Sequence, residues 1–233
     1  NDLNTARYNS DGLGVVYTAA LLAGGYKGPP GSPSTYTAAE TENWNGSSWT
    51  EVNNLNQAKR SNGMAGTNTA GLLFGGVTAP PTTTLDETES WNGTSWTEVN
   101  DLNTARYNIQ GVGATNTAAL AVAGRNPPGS LAIVESWNGS SWTETTDINT
   151  ARFDAGGTTG DYTNALLIAG YTPSPGFLAN VEVWNGSSWT ETTDLSSAKA
   201  DLEGAGTGTA GIAFAGRTPP NNPSATTEIF SSP

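Results

Sequence analysis

Short apolar runs that end in glycine alternate with polar, threonine-rich segments along the whole 233-residue chain. A representative stretch from Asn116 reads NTAALAVAG, a continuous apolar run typical of a strand buried on both faces. A Pro-rich loop follows, then the β-branched segment LAIVESW, and then Asn-Gly, which favours a tight hairpin turn. No window shows the 3.6-residue apolar spacing of a capped helix. The pattern therefore predicts an all-β protein made of short strands.

This pattern recurs five times. The peptide WNGSSWTE or WNGTSWTE begins at Trp44, Trp91, Trp137 and Trp184, and Phe230 stands where a fifth copy would begin, at spacings of 47, 46, 47 and 46 residues. Four strands in a repeat of this length make one propeller blade. We therefore predict a single five-bladed β-propeller domain, with four antiparallel strands per blade and a ring closed by the two termini in the last blade. The repeats span approximately 1–53, 54–100, 101–146, 147–193 and 194–233.

The last repeat is shorter than the others. After TTEIF, which contains Phe230, the chain reads SSP and lacks most of a fourth strand. Three explanations stay open. In the first, residues 1–3 close the ring, one outer strand is absent and Pro233 blunts the exposed edge. In the second, the chain is cut from a longer array. In the third, another chain supplies the strand by β-addition. The second and third imply a longer chain or self-association through the last blade.

The eight Trp of the chain all lie in the predicted hairpins, two on the same face of each. A ring of sugar-stacking platforms is one interpretation, but identical use in each hairpin favours packing between blades. Each hairpin Asn fits the N-glycosylation pattern, and the turn also explains it, because Asn-Gly supplies the positive φ required. Whether these residues are glycosylated stays open: Asn45, Asn92, Asn138 and Asn185.

Glycine is frequent in the first strand of each repeat, as expected for innermost strands that crowd a central axis. We expect a narrow axial channel between the backbones of these strands. The glycines concerned are Gly12, Gly14, Gly66, Gly111, Gly113, Gly157, Gly204 and Gly206.

Composition limits the partners. The net charge is −12 with only 9 Lys and Arg, which argues against nucleic acid or an anionic membrane as a ligand. No apolar run is long enough for insertion into a bilayer. The chain has no Cys and no His, so we expect neither a metal site nor a cofactor. The polar, Thr-, Asn-, Ser- and Gly-rich composition favours an extracellular, cell-surface or virion-surface location.

The most variable segments are the loops between the second and third strands, which hold twelve of the thirteen Pro. Because strands alternate in direction, these loops share one face of the disc with the links between blades; we call it the loop face. Residues that differ between matched repeats can provide asymmetric recognition, although drift in exposed loops is the other interpretation. The candidate ligand-binding residues are Tyr26, Lys27, Tyr36, Arg125, Tyr171, Phe177 and Arg217.

Two rings of opposite charge also recur once per repeat. The basic ring contains Arg7, Lys59, Arg106, Arg152 and Lys199. The acidic ring contains Glu42, Glu89, Glu135, Glu182 and Glu228. Cations near the axis could bind a carboxylate, a phosphate or an acidic peptide, but equal numbers favour structural ion pairs, because a buried charge needs a partner.

Catalysis has little support in the sequence. Most carboxylates recur equivalently in every repeat, whereas an active site is normally one asymmetric constellation. Four acids break the repeat and are the only candidates for a pair of the kind that hydrolyses glycosides: Asp154, Asp161, Asp201 and Glu203. We expect no catalytic residues and keep a glycosidase as the alternative.

The repeat resembles the kelch family of β-propellers. The matching features are the basic residue of the TAR phrase, the Gly-Gly that ends the second strand, the E-x-W of the third and the Trp that opens the fourth. Gly-Gly is intact only at Gly24-Gly25 and Gly75-Gly76, and five blades are few for kelch. The resemblance implies a binding or scaffold propeller. We therefore expect a non-catalytic binding or structural-display module, of fibre or adhesin type, that recognises a glycan or protein through its Pro-rich loops; a purely structural, self-assembling repeat module is a further alternative.

Overall fold

A computed structural model describes residues 1–28, 37–79, 82–157 and 161–231. Tyr36 and Pro233, which figure in the expectations above, lie outside these residues. The described residues form strands and no helix, which confirms the all-β prediction. The strands form five main sheets whose inner ends surround one axial cavity, so the prediction of a five-bladed β-propeller is confirmed.

Each of the first four blades is a sheet of four antiparallel strands, ordered outward from the axis. Blade 1 contains β1 (Asp11–Val16), β2 (Ala19–Ala23), β3 (Thr41–Trp44) and β4 (Trp49–Val52). Blade 2 contains β5 (Gly63–Thr67), β6 (Ala70–Phe74), the short loop hairpin of β7 (Val77–Thr78) and β8 (Thr83–Thr84), then β9 (Thr88–Trp91) and β10 (Trp96–Val99). Blade 3 contains β11 (Gln110–Thr115), β12 (Ala118–Val122), the hairpin of β13 (Arg125–Asn126) and β14 (Gly129–Ser130), then β15 (Val134–Trp137) and β16 (Trp142–Glu144).

Blades 4 and 5 vary this plan. Blade 4 contains β17 (Gly156–Gly157), β18 (Ala165–Tyr171), β19 (Phe177–Trp184) and β20 (Trp189–Glu191). Blade 5 contains β21 (Glu203–Gly206), β22 (Ala210–Phe214), the loop hairpin of β23 (Arg217–Thr218) and β24 (Asn222–Pro223), and β25 (Thr227–Ser231). Its sheet has three strands among the described residues, in the order β21-β22-β25.

The two Trp of each hairpin face each other directly across the third and fourth strands. Trp91 pairs with Trp96, for example, with ring centroids 5.2 Å apart. Both rings are buried in blade 2, at 1% and 5% exposure, within an apolar cluster that also contains residues of blade 1. Equivalent clusters join blades 2 and 3 and blades 3 and 4, where Trp142 meets Phe74 edge-on at 4.9 Å. The Trp pairs therefore belong to the packing between blades.

The hairpin turn explains why the two Trp residues of each hairpin are always separated by four residues. The Oδ1 atom of Asn45 accepts hydrogen bonds from the N–H groups of Ser47 and Ser48, both at 3.0 Å. Gly46 follows with φ of 93°, a left-handed conformation that glycine adopts without strain. The same bonds recur at the other three hairpins. Backbone geometry thus accounts for Asn-Gly at each of these positions.

Inner strands of neighbouring blades approach backbone to backbone. A Cβ atom added to Gly111 in β11 would lie 2.0 Å from the carbonyl oxygen of Met64 in β5. A Cβ atom on Gly204 would lie 2.7 Å from the carbonyl oxygen of Gly157. These approaches leave no room for a side chain, as expected for crowded innermost strands.

The junction between blade 5 and blade 1, where the chain begins and ends, is the most loosely packed. Phe214 of blade 5 is 39% exposed, whereas Phe74 at the same position in blade 2 is fully buried. Across the junction, Trp44 is only half-buried. The N-terminal segment contacts blade 1, where the Asn4 N–H donates to Glu42 at 2.8 Å.

Candidate functional site

The two charged rings form five ion pairs, each within one blade. The pairs are Arg7–Glu42 at 2.9 Å, Lys59–Glu89 at 3.2 Å, Arg106–Glu135, Arg152–Glu182 and Lys199–Glu228 at 2.9 Å. In the first four pairs both side chains are at most 1% exposed, which leaves no free cation for a ligand. This is the structural pairing expected from the sequence. The buried pairs favour this interpretation over an anion site near the axis, because the cations are neutralised inside the sheets.

Arg106 shows how such a pair is held. Its guanidinium contacts Glu135 and donates to the carbonyl oxygens of Ala121 and Ala123, both at 3.1 Å. Glu135 also accepts two hydrogen bonds of 2.7 Å from Asn103 in the link. Burial lowers the pKa of Arg106, and the charge and hydrogen bond of Glu135 oppose that shift. The pair ties the link before the first strand to the third strand of the same blade.

A cavity of about 340 Å³ opens on the axis at the loop face. All five blades contribute to its wall at the residue where the link turns into the first strand. These equivalent residues are Asn9, Ser61, Asn108, Asp154 and Asp201, all at φ between 51° and 56°. Such left-handed geometry is found mainly at Gly, Asn and Asp, which accounts for four of the five residues, all but Ser61.

Backbone hydrogen bonds connect neighbouring corners of this wall. The Ser61 N–H donates to the Asn9 carbonyl at 2.9 Å, and the Asn108 N–H donates to the Ser61 carbonyl at 2.7 Å. The Asp201 N–H donates to the Asp154 carbonyl at 2.9 Å. The corner residues are therefore held in place while their side chains differ between blades.

Four carboxylates line the cavity: Asp11, Asp154, Asp201 and Glu203. Three of them are among the acids that break the repeat in sequence. Desolvation, and then the charge of Asp201, raise the pKa of Asp154 to about 7, against the opposing effect of nearby arginines. Desolvation and the charge of Glu203 raise the pKa of Asp11 to about 7 as well. The cavity thus holds carboxyl groups that exchange protons near neutral pH.

The structure changes the sequence-based set of candidate acids at two residues, Asp161 and Asp11. Asp161 does not belong to the cavity lining; its Oδ1 accepts from the N–H and hydroxyl of Thr163 at 2.8 and 2.7 Å, so it caps a turn. Asp11 was missed, although it occupies the same repeat position as Glu203. Alignment of that position across the five repeats reads Asp, Gly, Gln, Gly, Glu, and this variability was the available signal.

Aromatic and arginine side chains of blades 1 to 4 lie beside the cavity on the loop face. We call this set the aromatic–arginine rim: Tyr8, Tyr26, Arg60, Tyr107, Arg125, Phe153, Tyr171 and Phe177. Four of them directly precede a corner residue of the cavity. The other four lie where the second strand of a blade connects to the third: Tyr26 in the loop, Arg125 in β13, Tyr171 at the end of β18 and Phe177 at the start of β19. Isolated β-bridges join the two groups, for example between Tyr107 and Arg125.

Arg125 is the centre of the best-packed part of the rim. Its guanidinium lies over the ring of Phe153 at 4.5 Å and over the ring of Tyr107 at 5.4 Å. Phe153 then contacts Tyr171, and Tyr171 meets Phe177 edge-on, each with centroids 5.4 Å apart. Cation–π and aromatic contacts of this kind favour one orientation of each side chain, so this part of the rim is held in place by its own contacts.

The candidate loop residues have different environments. Arg125, Tyr171 and Phe177 come together in the rim. Tyr26 is only 7% exposed, beneath Tyr8 at 5.2 Å, so it supports the rim rather than presenting a free ring.

Two further candidate residues, Lys27 and Arg217, form ion pairs with acidic side chains. Lys27 is half-buried and pairs with Glu40 at 2.5 Å. Arg217 is exposed and pairs with Asp201, which links its loop to the cavity. Tyr36 lies outside the described residues.

Four rim residues were missed in the sequence: Tyr8, Arg60, Tyr107 and Phe153. Each follows the basic residue of a link, at a position that reads Tyr, Arg, Tyr, Phe and Ala across the repeats. This variation matches that of the loops, but only the β-bridges to the loops bring the two sets together.

Neither any protein-family model nor any curated protein matches this chain. In the part of the chain that the structure describes, no helix is long and apolar enough to cross a membrane. The described residues also contain no group of three or more His, Cys, Asp or Glu placed to hold a metal ion.

Proposed function

We propose that this chain is a kelch-like, non-catalytic binding propeller that recognises a glycan on its loop face, as an adhesin- or fibre-type module of a cell or particle surface. The observation that carries this proposal is the ordered aromatic–arginine rim around a polar axial cavity. Aromatic faces pack on the apolar faces of sugar rings, and convergent amides and carboxylates bind hydroxyl groups.

Electrostatics narrows the class of glycan. The cavity is lined by carboxylates on a protein of net charge −12, so it disfavours sulfate, phosphate or sialic acid groups. The rim arginines lie outside the cavity and stack on aromatic rings. We therefore expect a neutral or amine-bearing sugar residue to enter the cavity, with its neighbour on the rim.

A glycan-array screen of the purified protein tests this proposal. Tyr171→Ala, which removes an aromatic ring of the rim, should weaken binding by at least about tenfold, as loss of a central aromatic anchor does. The matched control is Tyr17→Ala, because Tyr17 is 92% exposed and lies in the β1–β2 turn on the opposite face. Equal effects of the two variants, or no bound glycan, would reject the loop-face proposal.

A glycosidase is the second candidate, favoured by one observation. Asp154 has a pKa near 7 and shares the cavity with Asp201, an arrangement that suits a general acid and its carboxylate partner. Incubation of each bound glycan with the protein, followed by analysis of reducing ends, separates the two functions. The binding proposal predicts no product; product that disappears in both Asp154→Asn and Asp201→Asn would establish the enzyme instead.

A further inference from the structure

Two arginines of the rim, Arg60 and Arg125, form no ion pair with any acid among the described residues. All nine Lys and Arg of the chain lie in the described ranges, and the other seven each pair with an Asp or Glu. Acids outnumber bases by 21 to 9, so a shortage of carboxylates is not the reason. Two cations without a counter-charge in so acidic a protein call for an explanation.

The guanidinium groups of both arginines present their outer nitrogens to solvent. In each of them Nε is buried without a hydrogen-bond partner, whereas neither Nη is among the buried, unpartnered atoms. Arg7, whose ion pair lies inside blade 1, differs because all three of its guanidinium nitrogens are buried. The Nη groups of Arg60 and Arg125 are therefore the part of each side chain that a ligand can reach.

Aromatic rings hold both guanidinium groups in one part of the rim. Arg125 lies over Phe153 and Tyr107, and Arg60 lies over Tyr26 at 5.6 Å. Arg60 and Tyr107 directly precede two corner residues whose backbones share a hydrogen bond of 2.7 Å, so Arg60 also lies close to Tyr107. A guanidinium that is already held in place loses little side-chain freedom when it binds an anion.

The geometry of the group indicates which anion it suits. Two Nη donors in a planar fork match the two oxygens of a carboxylate and form parallel hydrogen bonds with them. A phosphate group would carry a charge of about −1.5 to −2, and the four carboxylates of the cavity would repel it more strongly than they repel a single negative charge. A carboxylate is therefore the favoured ligand group.

Arg125 is also close to the axial cavity. Desolvation raises the pKa of Asp154 in the cavity wall, and the positive charge of Arg125 opposes that shift. One ligand can therefore reach both Arg125 and the cavity. On the other side of Arg125, the aromatic contacts continue from Phe153 to Tyr171 and Phe177. Such rings pack on the apolar faces of sugars, which favours a saccharide over an acidic peptide as the source of the carboxylate.

We propose that the glycan recognised on the loop face carries a uronic acid residue, and that the Nη groups of Arg125 bind its carboxylate while the adjoining sugar residue occupies the axial cavity. This inference rests on the glycan-binding function proposed above and names the class of glycan. Arg60 adds positive charge to the same part of the rim, and Arg125 determines the specificity.

Matched pairs of small glycosides test the inference. Each pair consists of the methyl glycoside of a uronic acid and that of its parent hexose, in the gluco, galacto and manno configurations, so that only a carboxylate and a hydroxymethyl group differ. Chemical-shift titration of the ¹⁵N-labelled 233-residue protein measures the dissociation constants. In at least one pair we expect the uronate to bind at least about tenfold more tightly, as charge-assisted hydrogen bonds provide.

Variants at one position locate the carboxylate. Arg125→Gln should remove the preference for the uronate and keep the binding of the hexose, a result that general damage to the rim would not produce. Arg125→Lys keeps the charge without the fork and should retain part of the preference. Lys27→Gln is the matched control, because it removes one charge from a loop residue that already pairs with Glu40, and it should change the preference by less than about twofold. Circular dichroism and thermal melting establish that the variants are folded.

The outcomes separate this inference from the proposed function. An array with no bound glycan would reject both. Bound glycans that all lack a uronic acid, or equal binding of uronate and hexose in every pair, would overturn only the inference. It would also fail if Arg125→Gln kept the full preference. Binding of N-acetylglutamate as tight as that of the best uronate would overturn the assignment to a sugar.

Discussion

Replacement of Glu135 by Gln is the sharpest test of the buried ion pairs. Glu135 and Arg106 are both fully buried, so Gln leaves the guanidinium without its counter-charge. In the parent protein two N–H groups of Asn103 also donate to Glu135 at 2.7 Å, and the Gln side chain must replace that acceptor as well. A Gln oxygen can face either Arg106 or Asn103 but not both, so donors are left unsatisfied whichever way it turns.

The magnitude follows from burial. Removal of one partner from a buried pair costs about 3–5 kcal/mol, because an uncompensated charge remains in the interior. Glu228→Gln is the matched control, since its side chain is 23% exposed and water can reach the pair with Lys199. Loss of one partly solvated, charge-assisted hydrogen bond costs about 1–2 kcal/mol. We therefore expect the two variants to differ by about 2–3 kcal/mol.

Equilibrium unfolding in urea, followed by Trp fluorescence, measures both variants against the parent protein. The free energy of unfolding is the product of the midpoint and the slope m, provided that m stays constant. Equal losses at the two positions would refute the reasoning, because burial is what distinguishes them.

Three further predictions use thermal melting or urea unfolding. Gly111→Ala should lower the free energy of unfolding by about 3 kcal/mol or more, because the added Cβ would lie 2.0 Å from a carbonyl oxygen. Gly129→Ala should change it by less than about 1 kcal/mol, because nothing lies within 4 Å of the added Cβ. Phe74→Ala should cost about 3–5 kcal/mol because Phe74 is fully buried, and the partly exposed Phe214 should cost less than half as much. The folded-state pKa of Asp154 is about 7 against an ordinary 3.8, so the folded protein keeps a proton that the unfolded chain has lost between these values. The free energy of unfolding should therefore fall as pH rises from about 4 to about 7, by at most about 1.4 kcal/mol per pH unit for this group. Asp154→Asn should make that fall less steep. A pH profile that is the same in the variant would contradict the burial of Asp154.

Repetition made the fold predictable. Positions that carry the same residue type in nearly every repeat serve the same structural need in each blade, so the Trp pairs predict packing between blades. The matched rings of five cations and five Glu predict ion pairs for the same reason.

The loop face was harder to predict, because it depends on contacts that have no sequence period. Tyr26 follows a Gly-Gly in a Pro-rich loop, and that position predicts an exposed side chain, yet Tyr8 covers it. The link that carries Tyr8 reaches the loop through a β-bridge between the two tyrosines. Asp11 was overlooked because a single acid near the start of a strand is common on an acidic surface. Only convergence of five blades on one axis places it beside Glu203.

The division between repeated and variable residues favours the loop face as the place for the proposed recognition. The repeated residues are buried in ion pairs, Trp clusters and glycine contacts, where substitution costs several kcal/mol. The corner residues of the cavity are held by their backbones, so their side chains can differ at small cost in stability. They read Asn, Ser, Asn, Asp and Asp around the axis, and the rim beside them is equally varied. A rigid frame with an asymmetric inner ring can adapt to a ligand without losing its fold, and the carboxylates with pKa values near 7 make that ligand's charge the property to test first.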